Sequence, residues 1–164
     1  MSNISDFLIK ENELRDYTGN GGIVEIPEGV LKVGWGAFRN RSNVTEVIIP
    51  EGVKEISSNA FEGCKELKKV TIPQSVICIG SEAFAATACY RDSSNWKKNV
   101  FYLGNALIKA RASLSGTYTI EEGTRLIADG AFSQCEKLTA VRIPAGVTYI
   151  GGGCVSRLRC TDRI

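Results

Sequence analysis

Hydrophobic and polar residues repeat along this chain with a period of 23 residues. Ala-Phe pairs follow this step at Ala37-Phe38, Ala60-Phe61 and Ala83-Phe84, and a fourth pair lies at Ala131-Phe132. A second landmark, an isoleucine that proline follows in all units but one, lies at Ile26, Ile49, Ile72, Ile120 and Ile143. One period shared by two independent landmarks predicts a solenoid in which each repeat forms one coil.

Three further columns of the repeat are apolar in nearly every unit, which predicts that they form the core. They lie two positions before, four after and seven after the isoleucine, and they hold Val24, Val47, Val70, Tyr118 and Val141; Val30, Val53, Val76, Thr124 and Val147; and Val33, Ile56, Ile79, Ile127 and Ile150. The Ala-Phe pair is expected at a corner of each coil, where the phenylalanine fills the core.

Each coil also contains a short predicted strand with one exposed face. Apolar and variable positions alternate before the proline, as in a half-buried strand, and the proline ends the strand because it cannot donate to a sheet. The exposed positions form two columns, Glu25, Ile48, Thr71, Thr119 and Arg142 in one and Ile23, Glu46, Lys69, Thr117 and Ala140 in the other. Stacked coils should join these columns into an extended surface for a partner.

The spacing of these columns resembles that of a known family. Leu67-x-x-Val70-x-Ile72-Pro73, followed by Val76-x-x-Ile79 and Ala83-Phe84, is similar to the BspA-like, Treponema-type leucine-rich repeat. Cys64 and Cys135, three residues after their Ala-Phe pairs, also fit the family pattern. The resemblance covers about Ile23 to Ile150. It implies a right-handed, β-rich leucine-rich-repeat solenoid with short strands, little helix and a concave sheet that binds proteins.

We expect one domain over residues 1–164, with hairpin insertions. Its segments are an N-terminal hairpin or cap at 7–25, three repeats at 26–87, a loop and hairpin insertion at 88–119, further repeats at 120–150 and an irregular C-terminus at 151–164. The two hairpin segments look alike because residues recur after 94 positions, with Phe7, Ile26 and Phe38 reappearing as Phe101, Ile120 and Phe132. Asn12 and Gly104-Asn105 are the predicted hairpin turns.

Two stretches depart from the repeat. Between Ala88 and Asn99 a polar loop carries Tyr90 and Trp96, which are candidate contacts for a ligand, although covering the edge of the solenoid is the favoured role. In the final unit Cys154-Val155 stands where Ala-Phe belongs. We expect little ordered structure after about Arg157, as in an altered cap or a frayed terminus.

Charge and hydropathy narrow the range of partners. Twenty basic and eighteen acidic residues leave a net charge of +2 without long basic runs, so we expect no nucleic-acid binding. No stretch reaches the roughly 18 apolar residues of a membrane span, and the first residues lack the pattern of a secretory signal. We therefore expect no membrane insertion. The resemblance implies the cell surface, and a cytoplasmic location stays open.

Nothing in the sequence points to catalysis, a metal or a cofactor. The chain has no histidine and no CxxC, which removes most zinc sites and every imidazole-based triad. Six cysteines could form disulfides, but buried free thiols are favoured because Cys64 and Cys135 occupy a repeat column. The acidic pair Glu121-Glu122 lies at a predicted turn. We predict no catalytic residue, no metal ligand, no cofactor and no enzymatic activity.

The predicted function is non-catalytic binding of a protein through the concave sheet. The candidate contact residues are Glu25, Glu46, Ile48, Lys69, Thr71, Thr119 and Arg142. Adhesion at a bacterial surface is what the resemblance adds to this prediction. The alternative is a structural spacer or a self-associating repeat unit, in which hairpins and exposed sheet edges pair with copies of the same chain.

Overall fold

The fold was obtained as a computed structural model, which describes residues 3–154 and the backbone of Arg159–Arg163. The chain divides into two compact units, Met1–Ser93 and Ser94–Ile164. Short strands build both units, and helix in the described residues is confined to segments of three or four residues at Ile4–Asp6, Ala88–Arg91 and Ser93–Asn95. The predicted β-rich solenoid with little helix and with hairpin insertions is confirmed.

The first unit contains two sheets. Its strands are β1 (Phe7–Lys10), β2 (Glu13–Tyr17), β3 (Gly22–Glu25), β4 (Lys32–Val33), β5 (Val44–Ile48), β6 (Glu55–Ile56), β7 (Lys69–Thr71) and β8 (Cys78–Ile79), and helix α1 (Ala88–Arg91) follows. One sheet has the order β1-β2-β4-β6-β8 and the other the order β3-β5-β7. All pairings are parallel except the β1–β2 hairpin.

The second unit repeats this plan. Its strands are β9 (Trp96–Lys97), β10 (Val100–Leu103), β11 (Ala106–Ala110), β12 (Gly116–Thr119), β13 (Leu126–Ile127), β14 (Leu138–Ile143), β15 (Tyr149–Ile150) and β16 (Arg159–Arg163). They form sheets of order β15-β13-β11-β10-β9 and β12-β14-β16. The hairpin β10–β11 takes the place of β1–β2, and β9 adds an antiparallel strand at its outer edge.

Residues 23 positions apart lie side by side on neighbouring strands. In the first unit Glu46 lies beside Ile23 on one side and Lys69 on the other, and Ile48 lies in the same way between Glu25 and Thr71. Residues that share a column in the sequence repeat therefore lie next to each other on neighbouring strands of the sheet. A shift of one residue would move every buried side chain to the exposed face, so the hydrophobic pattern fixes this register.

The apolar columns form the core, as predicted, with a few members only half-buried. Phe38, Phe61 and Phe84 are fully buried, and their rings stack with centroids 5.0 and 5.3 Å apart. Val70 and Ile150 are only half-buried. They lie on β7 and β15, which end their sheets, but Val24 on β3 and Ile79 on β8 also lie on end strands and are fully buried. The end of a sheet therefore permits partial exposure without requiring it.

The two hairpins correspond at a spacing of 93 residues, not the predicted 94. Phe7 pairs with Tyr17 in the first hairpin, and Val100 pairs with Ala110 in the second. The structural counterpart of Phe7 is therefore Val100, and Phe101 corresponds to Leu8. The spacing of 94 applies to the repeats that follow, so one extra residue enters the chain between the second hairpin and β12.

Both predicted turns are confirmed. Glu11 and Asn12 have φ values of 51° and 60°, which is the type I′ pattern, and Gly104 has a φ of 56° at the first position of the second turn. The Asn12 side chain donates a hydrogen bond to the Gly29 carbonyl oxygen at 2.8 Å, which ties the first turn to the next coil.

The C-terminal segment differs from the irregular ending expected over 151–164. Backbone residues Arg159–Arg163 form β16, which pairs in parallel with β14, so the chain makes one more sheet strand after the repeat pattern fades. Backbone pairing needs no particular side chain, which explains why the columns did not show it. Residues 155–158 lie outside the described part of the chain. The single domain expected over 1–164 stays a prediction beside the two compact units.

Helices long and apolar enough to cross a membrane are absent from the described part of the chain.

Candidate functional site

The exposed columns of the first unit lie on the sheet β3-β5-β7. Ile23 has 58% of its surface exposed, and Glu25, Lys69 and Thr71 are also exposed. The two members on the central strand, Glu46 and Ile48, are half-buried. Carboxylates, an ammonium, a hydroxyl and two aliphatic side chains thus share one face, where a partner could make both polar and apolar contacts.

Glu46 and Lys69 form an ion pair on this face. The Lys69 Nζ donates to Glu46 Oε1 at 2.7 Å across neighbouring strands. Opposite charges directly across a sheet attract, although an exposed pair contributes only about 0.2–1 kcal/mol. The pair therefore acts chiefly by giving the face a defined arrangement of charge.

The corresponding columns of the second unit lie on β12 and β14. Thr119 lies beside Arg142 and Thr117 beside Ala140. All of these side chains are exposed except Ala140, which is half-buried. Five of the seven predicted contact residues thus belong to the first unit, and Thr119 and Arg142 belong to the second.

The two candidate loop contacts fall in different units. Tyr90 lies on α1, where the Thr87 side chain caps the helix by accepting a hydrogen bond from the Tyr90 backbone N–H at 3.1 Å. Trp96 lies on β9 and stacks on Phe101 with centroids 5.4 Å apart, and the Arg111 guanidinium lies 4.3 Å from the centre of its ring. Trp96 therefore packs against its own hairpin.

A series of ion pairs between neighbouring coils was missed by the sequence reasoning. Lys32 pairs with Glu55 at 3.1 Å, and Arg39 pairs with Glu62 at 2.9 Å. Each pair joins residues 23 positions apart, as the Glu46–Lys69 pair does. The signal was present in the sequence as opposite charges separated by one repeat, but comparing columns one by one does not reveal it.

The cysteines behave as core residues. The five whose side chains the structure describes are thiols, and Cys160 lies outside the described side chains. The Cys64 thiol is fully buried and donates to the Phe38 carbonyl oxygen at 2.9 Å. Burial raises its pKa from 9.0 to about 12, and burial also raises the pKa of the Cys135 thiol. A thiol that resists deprotonation is a poor nucleophile, which agrees with a structural role.

The Glu121-Glu122 pair lies at a turn, as predicted, and the Glu121 carboxylate is 3.9 Å from Lys97 Nζ. Among the described residues, no three Cys, Asp or Glu side chains come together in a way that could hold a metal ion.

A groove lies at the N-terminal end of the first unit, and no sequence pattern indicated it. It has a volume of about 590 Å³ and is lined by Ile4, Phe7, Ile23, Glu25, Ile26, Pro27 and Glu28. Ile4 has 70% of its surface exposed, and Ile23 is similarly open. The groove adjoins the exposed columns because Ile23 and Glu25 belong to both.

A family model for the BspA-type leucine-rich repeat region matches residues 17–115 and 103–162 of this chain, with six copies of the repeat. The chain belongs to this family. Its 23-residue columns are the BspA-type repeat, so the predicted relationship is confirmed. A comparison with curated proteins finds no match.

Two solved structures share the repeat fold seen here. A leucine-rich repeat protein from T. pallidum is 21% identical, with a TM-score of 0.54 over 92% of this chain and 81% of that protein. The pneumococcal vaccine antigen PcpA is 16% identical, with a TM-score of 0.52 over 96% of this chain and 33% of PcpA. At these identities the likeness shows the fold alone.

Proposed function

We propose that this BspA-type repeat protein is a non-catalytic module that binds another protein through its exposed strand columns. The observation that carries the proposal is the alignment of Ile23, Glu46 and Lys69, and of Glu25, Ile48 and Thr71, on one parallel sheet. Side chains held by strands keep fixed spacings, so a partner can match them without ordering a loop first.

The chemistry of this face suits a protein better than a nucleic acid. Its first-unit columns hold one cation, Lys69, and that ammonium is already paired with Glu46. Binding along a phosphate backbone relies on several cations, whereas a protein interface combines aliphatic contacts with a few hydrogen bonds. We expect the module to need no cofactor and no metal ion.

Adhesion at a bacterial surface is the setting that we propose for this binding. The family resemblance supports it, and the mixed polar and aliphatic face suits contact with a folded protein. The partner would then be a protein of a host or of a neighbouring cell.

A charge-swap variant tests the proposal. Glu46→Lys combined with Lys69→Glu keeps an ion pair between β5 and β7 but reverses the charges that a partner meets, and Arg142→Glu extends the change to the second unit. The matched control is Arg39→Glu with Glu62→Arg, which swaps another pair of the same spacing at 2.9 Å.

Pull-downs from host and bacterial extracts provide the measurement. A partner that the natural chain and the control retain, but that the charge-swap variant loses, supports binding through the columns. Equal retention by all three chains would show that binding occurs elsewhere on the molecule.

Self-association is a second candidate because β1 and β3 are end strands of their sheets. An end strand presents unpaired backbone groups that can pair with another chain. Sedimentation velocity at increasing protein concentration distinguishes a monomer from a self-associating spacer.

A further inference from the structure

The outer edge of β3 presents hydrogen-bonding groups that the sheet does not use. The Gly22 N–H donates to the Asn43 carbonyl at 2.8 Å, and the Ile26 N–H donates to the Ile48 carbonyl at 3.0 Å. The backbone N–H groups of these two residues therefore point towards β5. Successive backbone groups of a strand point in opposite directions. The backbone N–H and C=O groups of Ile23 and Glu25 therefore point away from β5. Within the described part of the chain, β3 has no neighbouring strand on that side.

The groove lies along this same edge. Ile4 and Phe7 line it on the side of the β1–β2 hairpin, and Ile23 and Ile26 line it on the side of β3. Its volume of about 590 Å³ falls within the range of about 300–1,000 Å³ seen for ligand sites. Exposed aliphatic side chains beside unused backbone groups are the two features that strand addition requires.

The charge at this edge is acidic. Glu25 and Glu28 are both exposed, and among the ion pairs of the described residues neither takes part. The sheet itself shows how a cation on the neighbouring strand would pair, because Lys69 reaches Glu46 at 2.7 Å from the next coil.

We infer that the β3 edge and its groove bind an extended segment of a partner protein, which adds to the sheet as a parallel strand. The segment places an aliphatic side chain between Ile4 and Ile23 and a basic side chain next to Glu25. This site goes beyond the proposed function because it adds the backbone edge of β3 and the groove to the exposed face, with which it shares Ile23 and Glu25.

The chain itself supplies a suitable test peptide. Leu138–Ile143, with the sequence Leu-Thr-Ala-Val-Arg-Ile, lies parallel to β12 and places Arg142 beside Thr119. Thr119 occupies the column of Glu25, so a peptide of this sequence added to β3 in the same register sets its arginine beside Glu25. We expect a fluorescein-labelled copy to show saturable binding to the full chain by fluorescence anisotropy.

Backbone methylation tests whether the peptide adds as a strand. In the expected register the valine N–H points towards β3 and the arginine N–H points away from it. N-methylation of the valine should abolish saturable binding, whereas N-methylation of the arginine is the matched control and should retain it. Equal affinity for the two methylated peptides would overturn strand addition.

A charge exchange tests the register. Glu25→Lys should weaken binding of the natural peptide by about 1.4-fold to fivefold, which is the range of one exposed cross-strand pair. A peptide with glutamate in place of arginine should bind the Glu25→Lys variant better than it binds the natural chain. If the exchange restores no affinity, the basic side chain does not lie beside Glu25 and the inference is wrong.

Two further variants distinguish the β3 edge from the exposed face and from a contact between two copies of the chain. Ile23→Asp places a charge in the groove at an exposed position, so the chain should fold, as checked by circular dichroism, but lose the peptide. The Glu46→Lys, Lys69→Glu variant should still bind the peptide even if it loses a partner in the pull-down, because neither residue lines the groove. If the natural chain binds no peptide but self-associates, and Ile23→Asp abolishes that association, the edge binds a second copy and the inference is overturned.

Discussion

Phe61 lies in the middle of a stack of aromatic side chains. It is fully buried, with Phe38 centred 5.0 Å away on one side and Phe84 5.3 Å away on the other. Each ring comes from a different coil, so a single side chain packs against the coil before it and the coil after it. This corner of the repeat therefore links three successive coils.

Truncating this side chain should destabilise the protein strongly. We expect Phe61→Ala to lower the free energy of unfolding by about 3–5 kcal/mol, because it removes buried area and leaves a cavity between two rings that the strands hold apart. Urea denaturation followed by circular dichroism measures the change. Phe61→Leu is the control and should cost less, and a loss below about 1 kcal/mol for Phe61→Ala would contradict the stacking role.

The Cys64 thiol should make stability depend on pH. Burial raises its pKa from 9.0 to about 12 in the folded chain, so between these values the unfolded chain has released the proton while the folded chain keeps it. The contribution to the free energy of unfolding is complete below pH 9 and falls as the pH rises towards 12, by at most about 1.4 kcal/mol per pH unit.

Comparison with Cys64→Ala isolates this effect, since lysine and tyrosine titrations are common to both chains. The stability difference between the natural chain and the variant should narrow from pH 9 upwards in urea denaturation. A constant difference over that range would mean that the folded thiol titrates normally.

Residue identities in the core could be predicted because the same side-chain type recurs in one column of several coils. Val70 and Ile150 show where this reasoning ends. Both fit their columns, yet both are half-buried, whereas Val24 and Ile79, which also lie on end strands, are fully buried. A column gives the preference of a position but not the burial of each of its members.

At the scale of elements, both hairpins place a residue with positive φ at the first position of the turn. The first uses Glu11 at a φ of 51°, where the second uses Gly104 at a φ of 56°. Positive φ is costly for a residue with a Cβ atom and nearly free for glycine. The first hairpin therefore carries strain that the second avoids.

Glu11→Gly should relieve this strain. We expect the free energy of unfolding to rise by about 1 kcal/mol, even though glycine makes the unfolded chain more flexible. Glu11→Ala is the matched control, since it removes the same carboxylate but keeps the Cβ atom, and it should give no gain in urea denaturation. Equal stability of the glycine and alanine variants would show that the turn is unstrained.

The hairpins also show which features of an element could be predicted from the sequence and which could not. Turn residues were readable in Asn12 and Gly104-Asn105, but the pairing of Phe7 with Phe101 over 94 positions was wrong by one residue. Matching similar side chains favoured the two phenylalanines, whereas backbone register fixes the hairpin. The groove could not be predicted at all, since Ile4 lies far from Ile23 in sequence and the hairpin brings them together.

For the whole molecule, the thiols predict that stability does not depend on redox conditions. The chain has six cysteines, and the five with described side chains are thiols. We expect a reducing agent to leave the melting temperature unchanged and a thiol reagent to count six groups under denaturing conditions. Fewer than six, together with a melting temperature that falls on reduction, would indicate a disulfide.

The family and the β-rich solenoid could be predicted in full from the sequence, but the partner could not. Core columns such as that of Val47 and Ile49 repeat because every coil meets the same packing demand. Exposed positions such as Ile23, Glu46 and Lys69 differ from coil to coil, so each occurs once and leaves no pattern to compare. Under the proposed function, these non-repeating side chains determine which partner is bound.

The ion pairs between coils restrict which deletions of a repeat this protein can tolerate during evolution. Loss of one whole repeat by recombination, such as residues 30–52, would bring Phe61 to the place of Phe38 and preserve the aromatic stack. The same event would remove Lys32, which lies between Glu13 and Glu55, and leave the two carboxylates side by side. The core positions of the coils are interchangeable, whereas the surface charges fit only one order of coils. A gene that had lost this repeat would need a further substitution at Glu13 or Glu55 to remove the repulsion between the two carboxylates.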